Sequence, residues 1–239
     1  MQDLWKSPET ARRFLEGRAR AIPFAREMGE ILLRLLAGNG GVDSFADVGC
    51  GGGRIGRLVL DVYPNASAVF ADLNETMLEA ARKDIGEQNG QVRFLQADFH
   101  RTEWADELVA TGPFDAVVSG FAIHHLPDDR KQAVYEDIFR MLRPGGIFVH
   151  LEHVASASEW GERMHDEFFI DTAYAAGVWE DKTRQEALAE YAARPDREAN
   201  VLTPVGTQLS WLWEIGFTDV DCFFKAFELS VFGGRKPAG

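Results

Sequence analysis

The chain has 239 residues, 46% hydrophobic and 26% charged, which is enough for one α/β domain with a sizeable core. Its formal net charge of -13 argues against a large nucleic-acid footprint, which needs clustered Lys and Arg, while leaving a local basic patch open. Two cysteines, Cys50 in a glycine turn and Cys222 in a late strand, argue against a disulfide framework and fit a reducing, cytoplasmic setting.

Residues 1–6 show no basic end followed by an apolar run, and no apolar span reaches membrane length, so neither a signal peptide nor a membrane segment is expected. Residues 8–37 are predicted helical, broken at Ile22-Pro23-Phe24, with Met28, Ile31, Leu32 and Leu35 on one face of the second half. Arg12, Arg13, Arg18, Arg20 and Arg26 make this region locally basic, and a solvated face accounts for them.

The stretch from Ser44 to Gly56 organises the rest. Phe45, Ala46 and Val48 read as a short buried strand that carries Asp47 and breaks into a glycine run. From Arg54 the spacing turns helical, with Ile55, Leu58, Val59 and Val62 on one face. Strand, glycine turn and helix make a nucleotide-site construction, because glycine lets backbone approach a ligand with no Cβ in the way. Gly51, Gly53 and Gly56 fit the dinucleotide pattern, while Asp47, Gly49, Gly51 and Gly53 fit the acid-x-G-x-G-x-G pattern of S-adenosylmethionine (SAM) sites. A pyrophosphate gains nothing from an acid just before the turn, whereas SAM brings a sulfonium and an ammonium that an acid can meet.

Ser67 to Phe70 is a second strand ending at Asp72, followed by a helix over 74–89 with Met77, Leu78, Ala81 and Ile85 inward. A carboxylate there can accept protons from both hydroxyls of a ribose. Val92 to Leu95 is a third strand leading to Asp98, placed to accept from an adenine amino group, with Phe99 as an apolar neighbour. A short helix over 103–109 and a fourth strand, Phe114 to Ser119, precede Phe121, His124 and His125. Pro127 and Asp128 start an amphipathic helix that ends at Arg143-Pro144-Gly145-Gly146, and a fifth strand, Ile147 to Leu151, ends in Glu152 and His153. Alternating strands and helices predict a doubly wound parallel sheet, with ligands beyond the strand C-termini.

Ala157 to Ala193 is predicted as a helical, aromatic-rich cap, too short for its own core. Thr203 before Pro204 is a helix start, Gly216 a stop, and residues 217–225 and 227–232 form an antiparallel closing pair.

Asp47-Val-Gly-Cys-Gly-Gly-Gly, Asp72-Leu-Asn-Glu-Thr-Met-Leu, Ala97-Asp98, Phe114-Asp-Ala-Val-Val, Leu142-Arg-Pro-Gly-Gly and the closing hairpin together resemble a class I SAM-dependent methyltransferase. The resemblance implies a seven-stranded Rossmann-like sheet with an antiparallel last strand and a helical cap. It implies one methyltransferase domain over residues 1–239, with a lid over 1–37 and a cap insertion over 154–200. It implies SAM as cofactor and S-adenosylhomocysteine (SAH) as product, with Asp47, Gly49 and Gly51 on the methionine part, Asp72 on the ribose, Asp98, Phe99, Leu73 and Met77 at the adenine, and backbone of Ser119 and Phe121 near the sulfonium. Arg20-Ala-Ile-Pro-Phe, the 119–126 stretch and the 216–225 stretch are also similar to the branch holding carboxy-SAM tRNA wobble-uridine enzymes and small-molecule methyltransferases. In a carboxy-SAM enzyme, Lys182 or Arg184 would hold the extra carboxylate.

The expected reaction is in-line methyl transfer to a small-molecule acceptor at O, N or C, with a carboxymethyltransferase and a non-catalytic SAM-binding protein as alternatives. The acidic balance disfavours nucleic acid while leaving tRNA open. His124 and Glu152 are the candidate acid–base pair, since only one of each adjacent pair on extended chain faces the site. His124, His125, Glu152 and His153 match no strong metal signature, and no metal is expected. The acceptor is expected between cap and sheet, where Trp160, Phe168 and Trp179 either line the pocket, bury the cap or form a homodimer surface.

Overall fold

The computed structural model describes residues 7–16, 22–86, 91–179, 181–194, 197 and 199–239. Arg18 and Arg20, the side chains of Arg13 and Phe14, and the end of the predicted 74–89 helix lie outside the described residues.

Seven strands form one sheet: β1 (Ser44–Val48), β2 (Ser67–Asp72), β3 (Val92–Gln96), β4 (Phe114–Gly120), β5 (Leu142–His153), β6 (Thr218–Ala226) and β7 (Leu229–Arg235). Their order is β3-β2-β1-β4-β5-β7-β6. The first five are parallel, and β7 runs antiparallel to both β5 and β6. The five parallel strands are the doubly wound sheet that the alternation of elements predicts, and the antiparallel closing pair brings it to the seven strands that the resemblance implies. The chain crosses from β1 outward to β3 and returns beside β1 as β4, which opens a crevice beyond the C-terminal ends of those two strands.

Helices cover both faces, so the central strands are apolar on both sides instead of alternating with polar residues. Ala116 and Val118 of β4 pack with Phe45, Phe70, Met28 and Leu32 on one face. Val117 packs with Phe148, Tyr135 and Leu212 on the other. Helices α2 (Ala25–Gly38), α3 (Arg54–Val62) and α4 (Glu75–Ile85) serve the first face, while α6 (Asp128–Met141) and α9 (Val205–Ile215) serve the second. Helix α1 (Pro8–Glu16) packs beside α4. Residues 102–105 form a 3-10 turn before the short α5 (Asp106–Thr111).

The cap departs from one continuous helix. It is α7 (Glu159–Ala175) and α8 (Arg184–Ala192), the second opened by a reciprocal Thr183–Glu186 cap. Ile170, Ala187 and Tyr191 bury against each other with Phe169, Trp179 and Leu188, a small core that sequence length alone argued against. Thr203 also differs from expectation. Its hydroxyl pairs with Asp128 Oδ1 at 2.5 Å and accepts from Lys131 at 2.6 Å, and α9 begins without a side-chain cap. Lys131 is almost fully buried, and these oxygens are what make its burial tolerable. No helix among the described residues is long and apolar enough to cross a membrane.

Candidate functional site

At the end of β1 the chain turns through Gly49 (φ 74°), Gly51 (φ 52°) and Gly53 (φ 81°), a left-handed path that glycine takes without strain. A Cβ at Gly49 would stand 2.2 Å from that of Ala122, so this glycine sets how closely the β1 and β4 loops approach. A Cβ at Gly51 would meet nothing within 4 Å, because Gly51 borders open space.

Asp47 is fully buried, and its Oδ2 accepts the amide of Gly56 at 2.8 Å, which caps the first turn of α3 from the neighbouring strand. Its Oδ1 is buried with no hydrogen-bond partner. Burial pushes the Asp47 carboxyl up to about 7, against the pull of the Gly56 amide and with a further push from Asp72. Asp72 accepts from Gly51 N at 2.8 Å and Asn74 N at 2.9 Å, and burial raises its pKa despite those bonds.

These groups border a cavity of about 960 Å³. Asp47, Gly49, Gly51, Asp72, Leu73, Met77, Asp98, Phe99 and Phe121 all line it. Phe121 sits at φ 54°, an uncommon conformation for a bulky residue, fixed by its amide on Leu151 O at 2.9 Å. Ser119 does not line the cavity. Its hydroxyl donates to Val48 O at 2.7 Å and ties β4 to β1.

His124 and Glu152, expected to face the acceptor, are in contact with each other and neither lines the cavity. Glu152 Oε1 lies 2.6 Å from His124 Nδ1 and accepts the His153 amide at 2.7 Å, while Oε2 accepts the His124 amide at 3.0 Å. His150 Nε2 is 2.9 Å from Oε2. Burial alone would raise the Glu152 carboxyl, but the imidazoles of His124 and His150 outweigh it and hold the group well below the usual carboxylate range. Since a carboxylate only accepts, His124 Nδ1 carries the proton and Nε2 the lone pair. Burial lowers the pKa of His124 in spite of Glu152, and lowers that of His125 further. The pair sits behind the cavity wall. Of this histidine group His125, whose ring centroid is 4.0 Å from that of His124, lines the cavity, as does His100 after β3.

The remaining lining was missed at the level of sequence. Ile22, Met28, Gly29 and Leu33 of the α2 region, and Ala199 and Val201 after the cap, close the cavity. The Met28 stripe reads as core by spacing, and nothing in a 3.6-residue period separates a cavity wall from a core face. The cap aromatics stand elsewhere. Trp160 is 65% exposed, and Phe168 stacks with Phe24 at 5.4 Å and packs against Phe227 at 5.2 Å, away from the lining. Lys182 pairs with Glu190, and Arg184 with Asp171 and Glu167, all on exposed surface.

A family profile described as a methyltransferase domain matches residues 45–146, the span from β1 to the turn before the buried half of β5. That span holds the glycine turn, Asp47, Asp72 and Asp98. Residues 45–146 are a class I SAM-dependent methyltransferase domain. The chain is 25% identical over 201 residues to carboxy-S-adenosyl-L-methionine synthase of Chromohalobacter salexigens, covering 80% of this chain and 68% of that one. It is 27% identical over 142 residues to the ubiquinone/menaquinone biosynthesis C-methyltransferase UbiE of a Marinomonas species, covering 57% and 54%. The crystal structure of human N-acetylserotonin methyltransferase with SAM superposes at a TM-score of 0.65 with 13% identity, covering 99% of this chain and 58% of that one. The chain thus spans between about half and two thirds of the length of these relatives. SAM is the cofactor of the family, and the site fits it: Asp47, which lines the cavity, has a buried carboxylate oxygen without a hydrogen-bond partner, and Gly51 in the same wall borders open space.

Proposed function

We propose that the protein transfers a methyl group from SAM to a small, largely apolar acceptor. The observation that carries this reading is Asp47 Oδ1, buried at the cavity with no partner, because a cationic ligand repairs both its desolvation and its missing hydrogen bond. SAM supplies a methyl group already attached to a good leaving group. Asp47 then holds the ammonium end, Asp72 accepts from the ribose hydroxyls, and Asp98, Phe99, Leu73 and Met77 hold the adenine. The Gly49–Ala122 approach and the Phe121 turn fix the wall where donor and acceptor meet, so the chain's main contribution is alignment and exclusion of water.

The acceptor occupies the α2 side, where Ile22, Met28 and Leu33 supply the apolar surface. For an acceptor that must lose a proton, His125 stands at the wall and the His124–Glu152 pair behind it. Burial lowers both imidazoles, which keeps them neutral at neutral pH and makes them weaker bases than a solvated histidine. Residues 1–37 serve as a lid through α2, and 154–200 as a cap, within one domain. The free thiols of Cys50 and Cys222 support a cytoplasmic location. The carboxymethyl-transferring alternative is not favoured, since Lys182 and Arg184 are engaged on the surface.

Mass spectrometry of the ligand carried through purification tests the reading, followed by turnover of labelled SAM against a panel of apolar hydroxyl, amine and carbon acceptors. SAM or SAH with turnover supports it. Carboxy-SAM as the carried ligand, or tight SAM with no turnover on any acceptor, would overturn it.

A further inference from the structure

On the far side of Glu152, three elements converge around a second group of donors. The end of β5 brings His153, α7 brings His165, and the turn between β6 and β7 brings Glu228. His153 Nε2 is 2.8 Å and His165 Nε2 is 3.8 Å from the same oxygen, Glu228 Oε2. One donor atom from each residue lies within 4.8 Å of the others. We propose that His153, His165 and Glu228 bind a divalent transition-metal ion of the zinc class, which clamps α7 to the edge of the sheet.

The geometry supports a metal over a plain ion pair. Tetrahedral zinc with bonds of about 2.0–2.2 Å sets its ligand atoms roughly 3.4 Å apart, so the three donors need to move by about 1 Å or less to share one ion. Two imidazole nitrogens and a carboxylate oxygen form a donor set that suits zinc, cobalt or nickel, whereas magnesium and calcium take oxygen. His165 and Glu228 are almost fully buried, and His165 Nδ1 has no hydrogen-bond partner. Glu228 has the imidazoles of His153 and His165 and the Ser156 hydroxyl beside it, and no lysine or arginine pair among the described residues.

An adjoining cavity of about 420 Å³, bordered by His153 and Glu228, provides the entry path and room for water as a fourth ligand. The charge of its wall selects for cations. Glu159, Glu162, Asp166 and Glu228 stand against Arg194 and Arg197, and Arg197 is already paired with Glu162 at 2.6 Å and Asp166 at 2.8 Å. Spacing in the sequence could not reveal the set, since residues 153, 165 and 228 come from three separate elements. The proposal is independent of the methyl-transfer reading, because none of the three residues lines the larger cavity.

The test is calorimetric titration of the full chain, dialysed against chelator, with zinc sulfate, together with the visible spectrum of the cobalt form. The expected result is one zinc per chain with submicromolar affinity, a tetrahedral cobalt spectrum, and a melting temperature about 5 °C higher at saturating zinc. Glu228→Gln and His165→Ala should each weaken zinc binding about a hundredfold and abolish the melting shift, with SAH affinity within threefold of wild type. Absence of stoichiometric zinc binding by the wild-type chain, equal affinity in both variants, or equally tight binding of magnesium would each overturn the proposal. The wild-type titration decides even where a variant does not fold.

Discussion

Asp47 and Asp115 lie on adjacent strands of the same sheet and are used in opposite ways. Asp115 opens β4 at the N-terminal edge, and both its oxygens are engaged. Oδ2 accepts the amides of Asp43 and Ser44 at 2.9 and 2.8 Å, and Oδ1 accepts from Arg143. Burial pushes its carboxyl up, but the arginine and the two amides outweigh that and hold it below the usual range. Asp47 closes β1 at the C-terminal edge with one oxygen engaged and the other bare, and its pKa goes up to about 7. The N-terminal edge is therefore a latch complete in itself, tying β1, β4 and the Arg143 turn together. The C-terminal edge is left electrostatically incomplete, and a ligand completes it.

The strongest way to break this comparison is to remove each charge in turn. Asp47→Asn should lower SAH affinity about a hundredfold without lowering the melting temperature at pH 8, while Asp115→Asn should leave SAH affinity within threefold and cost about 2 kcal/mol of stability. Calorimetry and thermal melts on the two variants read both quantities, and a matching loss of stability in Asp47→Asn would make that residue a latch as well. Next in size, Asp72→Ala should weaken SAM and SAH alike by roughly ten- to a hundredfold through lost ribose hydrogen bonds, as read by calorimetry.

The two carboxylates also predict opposite pH slopes in the ligand-free protein. A folded pKa raised above the unfolded 3.8 means that Asp47 binds a proton more tightly in the folded state. Its contribution to stability is therefore present at low pH and declines as pH rises from about 4 through about 7. Asp115, with its folded pKa lowered, contributes stability above pH 3.8 that is lost as pH falls. Urea unfolding from pH 5 to 8 should show wild-type stability falling with pH relative to Asp47→Asn. Parallel curves would mean that Asp47 is ionised in the free protein.

How much of this was legible in the sequence follows from the range of the forces involved. The glycine turn, Asp47, Asp72 and Asp98 are read locally, because backbone conformation and strand ends are local properties. The strands fall within a few residues of their predicted places, except that β5 begins at Leu142, ahead of the turn glycines. Which histidine faces the cavity was not legible. The 3-10 turn at Ile123–His125 replaces the extended alternation from which His124 was chosen, and turns His124 onto Glu152 and His125 to the wall. The acceptor side was also hidden, since Met28 belongs to a stripe that looks like core in a periodicity and Leu33 falls outside that stripe, whereas Trp160, read as pocket, packing or dimer surface, is exposed.

The smallest expected effects separate lining from surface. Leu33→Ala should raise the acceptor KM severalfold and leave SAH affinity within threefold, while Trp160→Ala should change neither by more than about twofold. Steady-state kinetics with any accepted substrate reads both, and the reverse pattern would move the acceptor under the cap.

The central claim, that a cationic ligand completes Asp47, is tested most directly by counting protons. SAH binding at pH 7, measured by calorimetry in buffers of different ionisation enthalpy, should release about half a proton per chain as Asp47 ionises against the ligand ammonium, and Asp47→Asn should remove that release. Tight binding with the same proton release in wild type and Asp47→Asn would contradict the account.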